Sequence, residues 1–178
     1  MLVNRIVFSI NDHPEYHGLS LYFQGCDAVP KCPKCHNPET WDFDPNYFFT
    51  YEHVKQKIID DLDFLLSSYP KVGFAFLGGE PLAPEHISYV SLLSMEIKYL
   101  FREKVDIILY SWRMPEDLLK EKLLKSLGFI DRFVLGRFDY KQLNVDENGK
   151  ILFPASKNQL YLTVEELILY IAELKKEH

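Results

Sequence analysis

Apolar residues recur at two different periods along this chain, and the switches between them lay out its elements. Residues 5–10 and 19–24 alternate apolar and polar positions and are rich in Ile, Val, Leu and Phe, the pattern of strands. The polar, turn-rich residues 11–18 join them. In residues 52–68 the period lengthens. Val54, Ile58, Leu62, Leu65 and Leu66 fall every third or fourth position, opposite Lys55, Lys57, Asp60 and Asp63. This predicts a helix with one buried face, capped by Thr50 and stopped by Pro70. Residues 71–77 are a short apolar run, as in a strand covered on both faces. The unit then repeats. Residues 84–102 are helical, with Ile87, Val90, Leu93, Ile97 and Leu100 inward, and 105–111 are a strand. Residues 115–127 are a helix with Pro115 in its first turn and Gly128 just past its end, and 129–136 a further strand. Residues 144–153 predict a hairpin turning at Glu147-Asn148-Gly149, and 154–159 a polar loop. Residues 163–176 are a last helix, with Thr163 and Glu166 forming a capping box. The aromatic, irregular residues 42–51 are a covering loop.

Strand and helix thus alternate about four times, which predicts a parallel sheet with right-handed crossovers. The chain has 178 residues, the length of one domain, expected to span 1–178. An eightfold barrel needs about 250 residues. The expected fold is therefore α/β, a partial (open) parallel β/α barrel with an accessible mouth. Composition adds three limits. The chain is 47% hydrophobic and 15% aromatic, enough for a real core. Its net charge of −6, with both signs well mixed, argues against nucleic acid as a partner. There is no signal-peptide core and no apolar run approaching 18 residues, so a cytoplasmic protein without a membrane span is expected.

All three cysteines, Cys26, Cys32 and Cys35, lie within ten residues at the end of the second strand. Their odd number argues against disulfides, and free thiols fit a reducing compartment. Thiolates so close in sequence point to a metal. Zinc is one reading, with His36 as a fourth ligand, although adjacent Cys35 and His36 make joint ligation awkward. An iron–sulfur cube is the other: three cysteines hold three irons and leave the fourth open. Inert thiols are a third. Gly78-Gly79-Glu80-Pro81 ends the next parallel strand, either as an ordinary turn or as a ligand-approach segment. Trp41 and Trp112 are expected to pack. His13, His17, His53 and His86 are expected at the surface. Arg137 would meet a ligand carboxylate or a surface partner. Asn158 and Gln159 would tie a loop together.

At this point the residues resemble a family. Gly18 through Cys26, the run Cys32-Pro33-Lys34-Cys35-His36-Asn37-Pro38-Glu39-Thr40-Trp41, the Gly78–Pro81 segment, Asp131 through Asp139, and Ser156-Lys157-Asn158-Gln159 match in order. They are similar to segments of radical S-adenosylmethionine enzymes, most closely the small activating proteins of anaerobic ribonucleotide reductases. The resemblance implies a [4Fe–4S] cluster on Cys26, Cys32 and Cys35, with S-adenosylmethionine on the open iron. It implies that Gly78, Gly79 and Glu80 fix the methionine amino group. Tyr110 and Ser111 would face the adenosine or carboxylate, and His36 and Asn37 the adenine. An electron donor such as flavodoxin would reduce the cluster, and a 5′-deoxyadenosyl radical would install a glycyl radical on the large reductase. Two departures stand out. Five residues separate Cys26 from Cys32 where the family usually has three, and Lys34 replaces a Gly. Two alternatives stay open: a small-molecule enzyme resembling 7-carboxy-7-deazaguanine synthase, and a zinc-binding module without catalysis.

Overall fold

In the computed structural model, which describes residues 1–176, the two periods resolve into eight strands and four α-helices. In chain order these are β1 (Val3–Ser9), β2 (Gly18–Phe23), α1 (Tyr51–Leu66), β3 (Val72–Gly78), α2 (Ile87–Phe101), β4 (Val105–Ser111), α3 (Pro115–Lys120), β5 (Arg132–Leu135), β6 (Leu143–Val145), β7 (Ile151–Ser156), β8 (Leu160–Thr163) and α4 (Val164–Leu174). The last two residues of the expected 1–178 domain lie outside the described residues. Among the described residues no helix is long and apolar enough to cross a membrane.

The main sheet has the order β1-β2-β3-β4-β5-β8, and β6 pairs with β7 in a separate hairpin. Strands β2 to β5 are parallel and consecutive in both sequence and space. Each crossover therefore steps one strand onward in the same direction, and every helix falls on the same face. Residues of all four helices share one core with Leu19, Leu21, Phe74, Phe76, Ile107, Leu109, Phe133 and Leu135. Alternate residues point the other way. There Tyr22, Ala75, Leu77, Ile108 and Val134 form a smaller cluster, joined by Tyr110, Phe153 and Tyr161. The sheet stays open, with β1 and β8 as its edges, and no closed barrel forms.

The local signals act as expected at several ends. Thr50 Oγ1 accepts from the His53 amide at the start of α1. Thr163 and Glu166 bond reciprocally at the start of α4. Four expectations need correction. The sheet is not wholly parallel: β1·β2 and β5·β8 are antiparallel. The eight residues between β1 and β2 are too few for a parallel crossover, which needs a dozen or more. The first half of the polar loop 154–159 is strand, because β7 runs through Ser156 and only a short turn, 157–159, separates it from β8. The helix expected over 115–127 breaks: α3 stops at Lys120, Lys122 adopts a left-handed φ of 59°, and Leu123–Leu127 is 3-10. Finally, His13 and His86 are buried, not solvated.

His13 pins the β1–β2 connection beneath the sheet. Its Nδ1 accepts from the amides of Glu15 and Tyr16, so the proton sits on Nε2 and is donated to Asp106 Oδ1 at 3.0 Å. Asp106 also meets Arg132 Nε at 2.8 Å and Lys71 Nζ at 3.2 Å. Burial opposes its ionisation, but the bonds from His13 and Arg132 outweigh it and hold the carboxyl well below the usual range. A carboxylate with a depressed folded pKa stabilises the fold above its unfolded pKa, about 3.9, and that contribution drains away as pH falls below it. Asp106→Asn is expected to cost about 3 kcal/mol at neutral pH. Urea unfolding of both proteins should show the gap narrowing below about pH 4; a gap independent of pH would contradict the assignment.

Candidate metal centre

At the C-terminal ends of β2 to β5 the sheet opens onto a cavity of about 820 Å³. All ten residues singled out from the sequence line it: Cys26, Cys32, Cys35, His36, Asn37, Gly78, Gly79, Glu80, Tyr110 and Ser111. The topology explains this. Cys26 follows β2, Gly78 ends β3, and Tyr110 and Ser111 end β4, so consecutive parallel strands deliver them to one side.

The cysteine loop is fastened at its base by main chain. The amides of Gly25 and Cys26 donate to the carbonyls of Thr40 and Trp41 at 2.8 and 3.0 Å. Glu80 N–H donates to Gly25 O at 2.8 Å, and Gly79 N–H to Phe23 O at 3.0 Å. The β3 tip thus lies directly against the loop. A Cβ on Gly79 would stand 1.9 Å from Gly25 O and 2.8 Å from Thr40 O. Its missing side chain therefore makes room for the protein's own backbone. Gly25, at φ +113°, is equally tight against the Phe43 ring.

The three thiols are free. Burial, with Glu80 and Asp27 nearby, pushes Cys26 up to about 11, and burial raises Cys32 as well. A metal would have to displace their protons, so binding is coupled to proton release. The Asn37 amide donates to Cys35 Sγ at 3.4 Å, a contact of the kind that tunes cluster sulfur. Among the described residues no three His, Cys, Asp or Glu side chains gather tightly enough to hold a single ion. His36 packs on the Phe138 ring at 4.3 Å. A cube carrying its own sulfides bonds each thiolate to a separate iron, so it needs a wider triangle than a zinc site does. Three free thiols lining one cavity match that donor set in kind and number.

Glu80 is an internal brace. It is 1% exposed, and burial lifts its pKa to about 7 against the opposing pull of Arg113 and its hydrogen bonds. Its oxygens accept from Ser111 Oγ at 2.7 Å and from the Leu82 and Trp112 amides at 3.0 Å, with Arg113 Nη1 at 3.4 Å. The neutral-side His86, its pKa lowered by burial, donates from Nδ1 to Glu80 O at 2.8 Å and stacks on Phe23. Tyr110 OH donates to Asp12 O at 2.8 Å, and Asn37 Oδ1 accepts from Arg5 Nη2 at 2.8 Å.

Sequence reasoning missed Arg5, Asp27, His86 and Arg113. Arg5 crosses Tyr22 at 3.8 Å and also binds Glu39 at 2.8 Å, fixing the segment after Cys35. The Arg113 side chain is 4% exposed and holds Asp27 at 2.6 Å and Glu121 at 2.8 Å. Trp112 Nε1 donates to Asp27 Oδ1 at 2.9 Å, so this indole does more than pack. Desolvation resists Asp27 ionisation, but the bonds from Arg113 and Trp112 prevail and lower its pKa. Only an Asp beside a cysteine and a Trp-Arg pair at a strand end hinted at this contact, and no spacing rule joins them.

Known proteins resemble this chain over most of its length. A family described as 4Fe-4S single cluster domain matches residues 17–162. An anaerobic ribonucleoside-triphosphate reductase-activating protein of Enterobacteria phage T4 is 32% identical over 119 residues, which cover 67% of this chain and 69% of that protein. A protein of the same description from Vibrio cholerae serotype O1 (strain ATCC 39315 / El Tor Inaba N16961) is 31% identical over 124 residues, 69% of this chain and 75% of that one. No solved structure gives a significant match. With the profile running from the start of β2 almost to the end of β8, the chain belongs to the 4Fe–4S single-cluster-domain family and, within it, to the anaerobic ribonucleoside-triphosphate reductase-activating proteins.

Proposed function

We propose that this protein is a radical S-adenosylmethionine enzyme with a partial, open form of that barrel, and that it installs a glycyl radical on an anaerobic ribonucleoside-triphosphate reductase. The observation that carries the reading is the convergence of three free thiols and the Gly78–Glu80 strand tip on one cavity. Cys26, Cys32 and Cys35 would hold three irons of a [4Fe–4S] cluster. When bound, the cluster and S-adenosylmethionine supply one-electron cleavage of a carbon–sulfur bond and a carbon radical able to take a hydrogen atom from a glycine Cα.

The chain's own residues orient and shelter that chemistry. Glu80 braces the β3 and β4 tips, leaving the main chain of Gly78 and Gly79 as the arm for the methionine amino group. Ser111 and Tyr110 shape the adenosine and carboxylate side, and His36 and Asn37 the adenine side. Cys26 and Glu80 are buried, so the floor of the cavity is screened from water. Ile10, Ile151 and Leu152 line the cavity mouth and are 68%, 49% and 42% exposed. An apolar rim of this kind suits a polypeptide better than a small polar metabolite. An external donor such as flavodoxin would supply the electron.

The test is anaerobic reconstitution with iron, sulfide, a chemical reductant, S-adenosylmethionine and a purified anaerobic reductase, read by electron paramagnetic resonance. A glycyl-radical doublet on the reductase is expected. Consumption of S-adenosylmethionine with no radical on the reductase would remove the partner assignment, and no consumption at all would remove the chemistry.

A further inference from the structure

Of the five residues between Cys26 and Cys32, Ala28 is buried at 1% exposure, but the apex after it is not packed into the fold. Val29 is 84% exposed, and Pro30 beside it is exposed too, so the apex packs no apolar surface. Neither residue belongs to a helix or strand. The side chains that reach the loop from elsewhere come from the ends of β4 and β5. Arg113 and Trp112 grip Asp27 on its rising limb. Lys31 Nζ folds back onto Cys26 O on its falling limb. At the apex, Arg137 donates from Nη1 to Pro30 O at 2.5 Å and from Nη2 to Val29 O at 3.1 Å.

Arg137 is itself held. Its guanidinium carbon lies 4.9 Å from the centroid of the Trp112 ring, and that of Arg113 lies 4.6 Å from the same ring. Its carbonyl accepts from Asn158 Nδ2 at 2.8 Å, and the Gly136 carbonyl before it accepts from Gln159 Nε2 at 3.2 Å. Gln159 Oε1 in turn accepts from Ser156 Oγ and N. The Ser156–Gln159 segment therefore fastens the turn after β5, and that turn presents the guanidinium to the cysteine loop.

We propose that Arg137 is a positioning residue that fixes the Cys26–Cys32 loop by taking two adjacent carbonyls with one guanidinium, its own backbone being set by Asn158 and Gln159. The fork of a guanidinium can meet two acceptors at once, whereas an ammonium is a single point of charge. Lysine at 137 would keep the cation and lose the paired geometry. The idea rests on Cys26 and Cys32 being ligands only for its purpose; the clamp exists in the protein before any metal binds.

Metal-free protein is therefore the right material for the test. Limited trypsin digestion reports opening of the Lys31–Cys32 bond, because cleavage requires local unfolding. Arg137→Ala and Arg137→Lys are both expected to raise the nicking rate after Lys31 about tenfold, the scale of losing charge-assisted bonds, while the thermal midpoint stays near that of the parent. Asn158→Ala, which leaves the guanidinium and loosens its backbone, should give a smaller rise and serves if Arg137→Ala fails to fold. Unchanged nicking in Arg137→Lys and Asn158→Ala would overturn the proposal. So would a rise in Arg137→Ala that Arg137→Lys fully restores, since charge alone would then suffice. Iron and sulfide content, measured separately on reconstituted parent protein, decides the cluster reading and does not bear on these rates.

Discussion

Cys32→Ala is expected to leave the protein folded and unable to keep its cluster. Cys32 is half-buried on the cavity wall and makes no contribution to either hydrophobic core, so its removal creates little cavity cost. It is one of only three cysteines in the chain. Residues that merely orient metal ligands are worth about 10–100-fold in metal affinity, so deletion of a ligand exceeds that range. Anaerobically reconstituted Cys32→Ala should lose the brown charge-transfer absorption and most of its iron. Cleavage of S-adenosylmethionine to methionine and 5′-deoxyadenosine should fall below about 1% of the parent rate. Retention of parental iron together with parental cleavage would refute the ligand assignment on which the proposed chemistry stands.

The second large effect is expected at Gly79. Alanine there keeps an ordinary backbone conformation, since Gly79 does not adopt a positive φ. The penalty is purely steric: the new methyl would stand 1.9 Å from Gly25 O and 2.4 Å from Gly25 C. Those atoms are main chain at the root of the cysteine loop and cannot rotate away. Either the β3 tip or the loop must shift, breaking the Glu80 N–H to Gly25 O bond between them. A loss of about 3 kcal/mol or more is expected, with weakened cluster uptake in whatever fraction folds. Gly128→Ala is the matched control. Nothing lies within 4 Å of its added methyl, and its φ of −63° suits alanine; it should be neutral or stabilising by about 0.5 kcal/mol. Thermal unfolding and iron content of both variants check the contrast. Equal melting and loading in the two would show that the β3 tip and the loop do not need the close approach.

Local signals in the sequence were sufficient for most of the frame. The helical stripe Val54, Ile58, Leu62 is the buried face of α1, and both the Thr50 cap and the Thr163–Glu166 box form as written. Each is decided within one or two turns of chain. The edges of the sheet were less legible. Strand β8 is four half-buried residues whose last, Thr163, also caps a helix, so its strand pattern merges with a helix signal. The break after α3 turns on a left-handed Lys122, which no propensity announces.

The site divides in the same way. The cysteine triplet and the Gly-Gly-Glu tip could be singled out because each is a short run, and the structure brings both to one cavity. Their supports could not, because each is a contact between distant segments. Asp27 and Arg113 are 86 positions apart, and His13 and Asp106 are 93 apart. Glu80 shows the limit most clearly. Its position in the motif suggested a ligand contact; it lines the cavity, and its buried carboxylate also accepts from Ser111 and from the Leu82 and Trp112 amides, which no motif announces.

The order in which the ribosome delivers these parts has a consequence of its own. Synthesis runs from the N-terminus, and Cys26 to Cys35 emerge with the first fifth of the chain. The groups that steady their loop arrive much later: Trp112 and Arg113 past the midpoint, Arg137 and Asn158 in the final third. A nascent chain halted after α2 would carry all three cysteine thiols on a segment without those fastenings, open to oxidation or to stray metals. The loop therefore gains its full set of fastenings only once Arg137 and Asn158 have been synthesised.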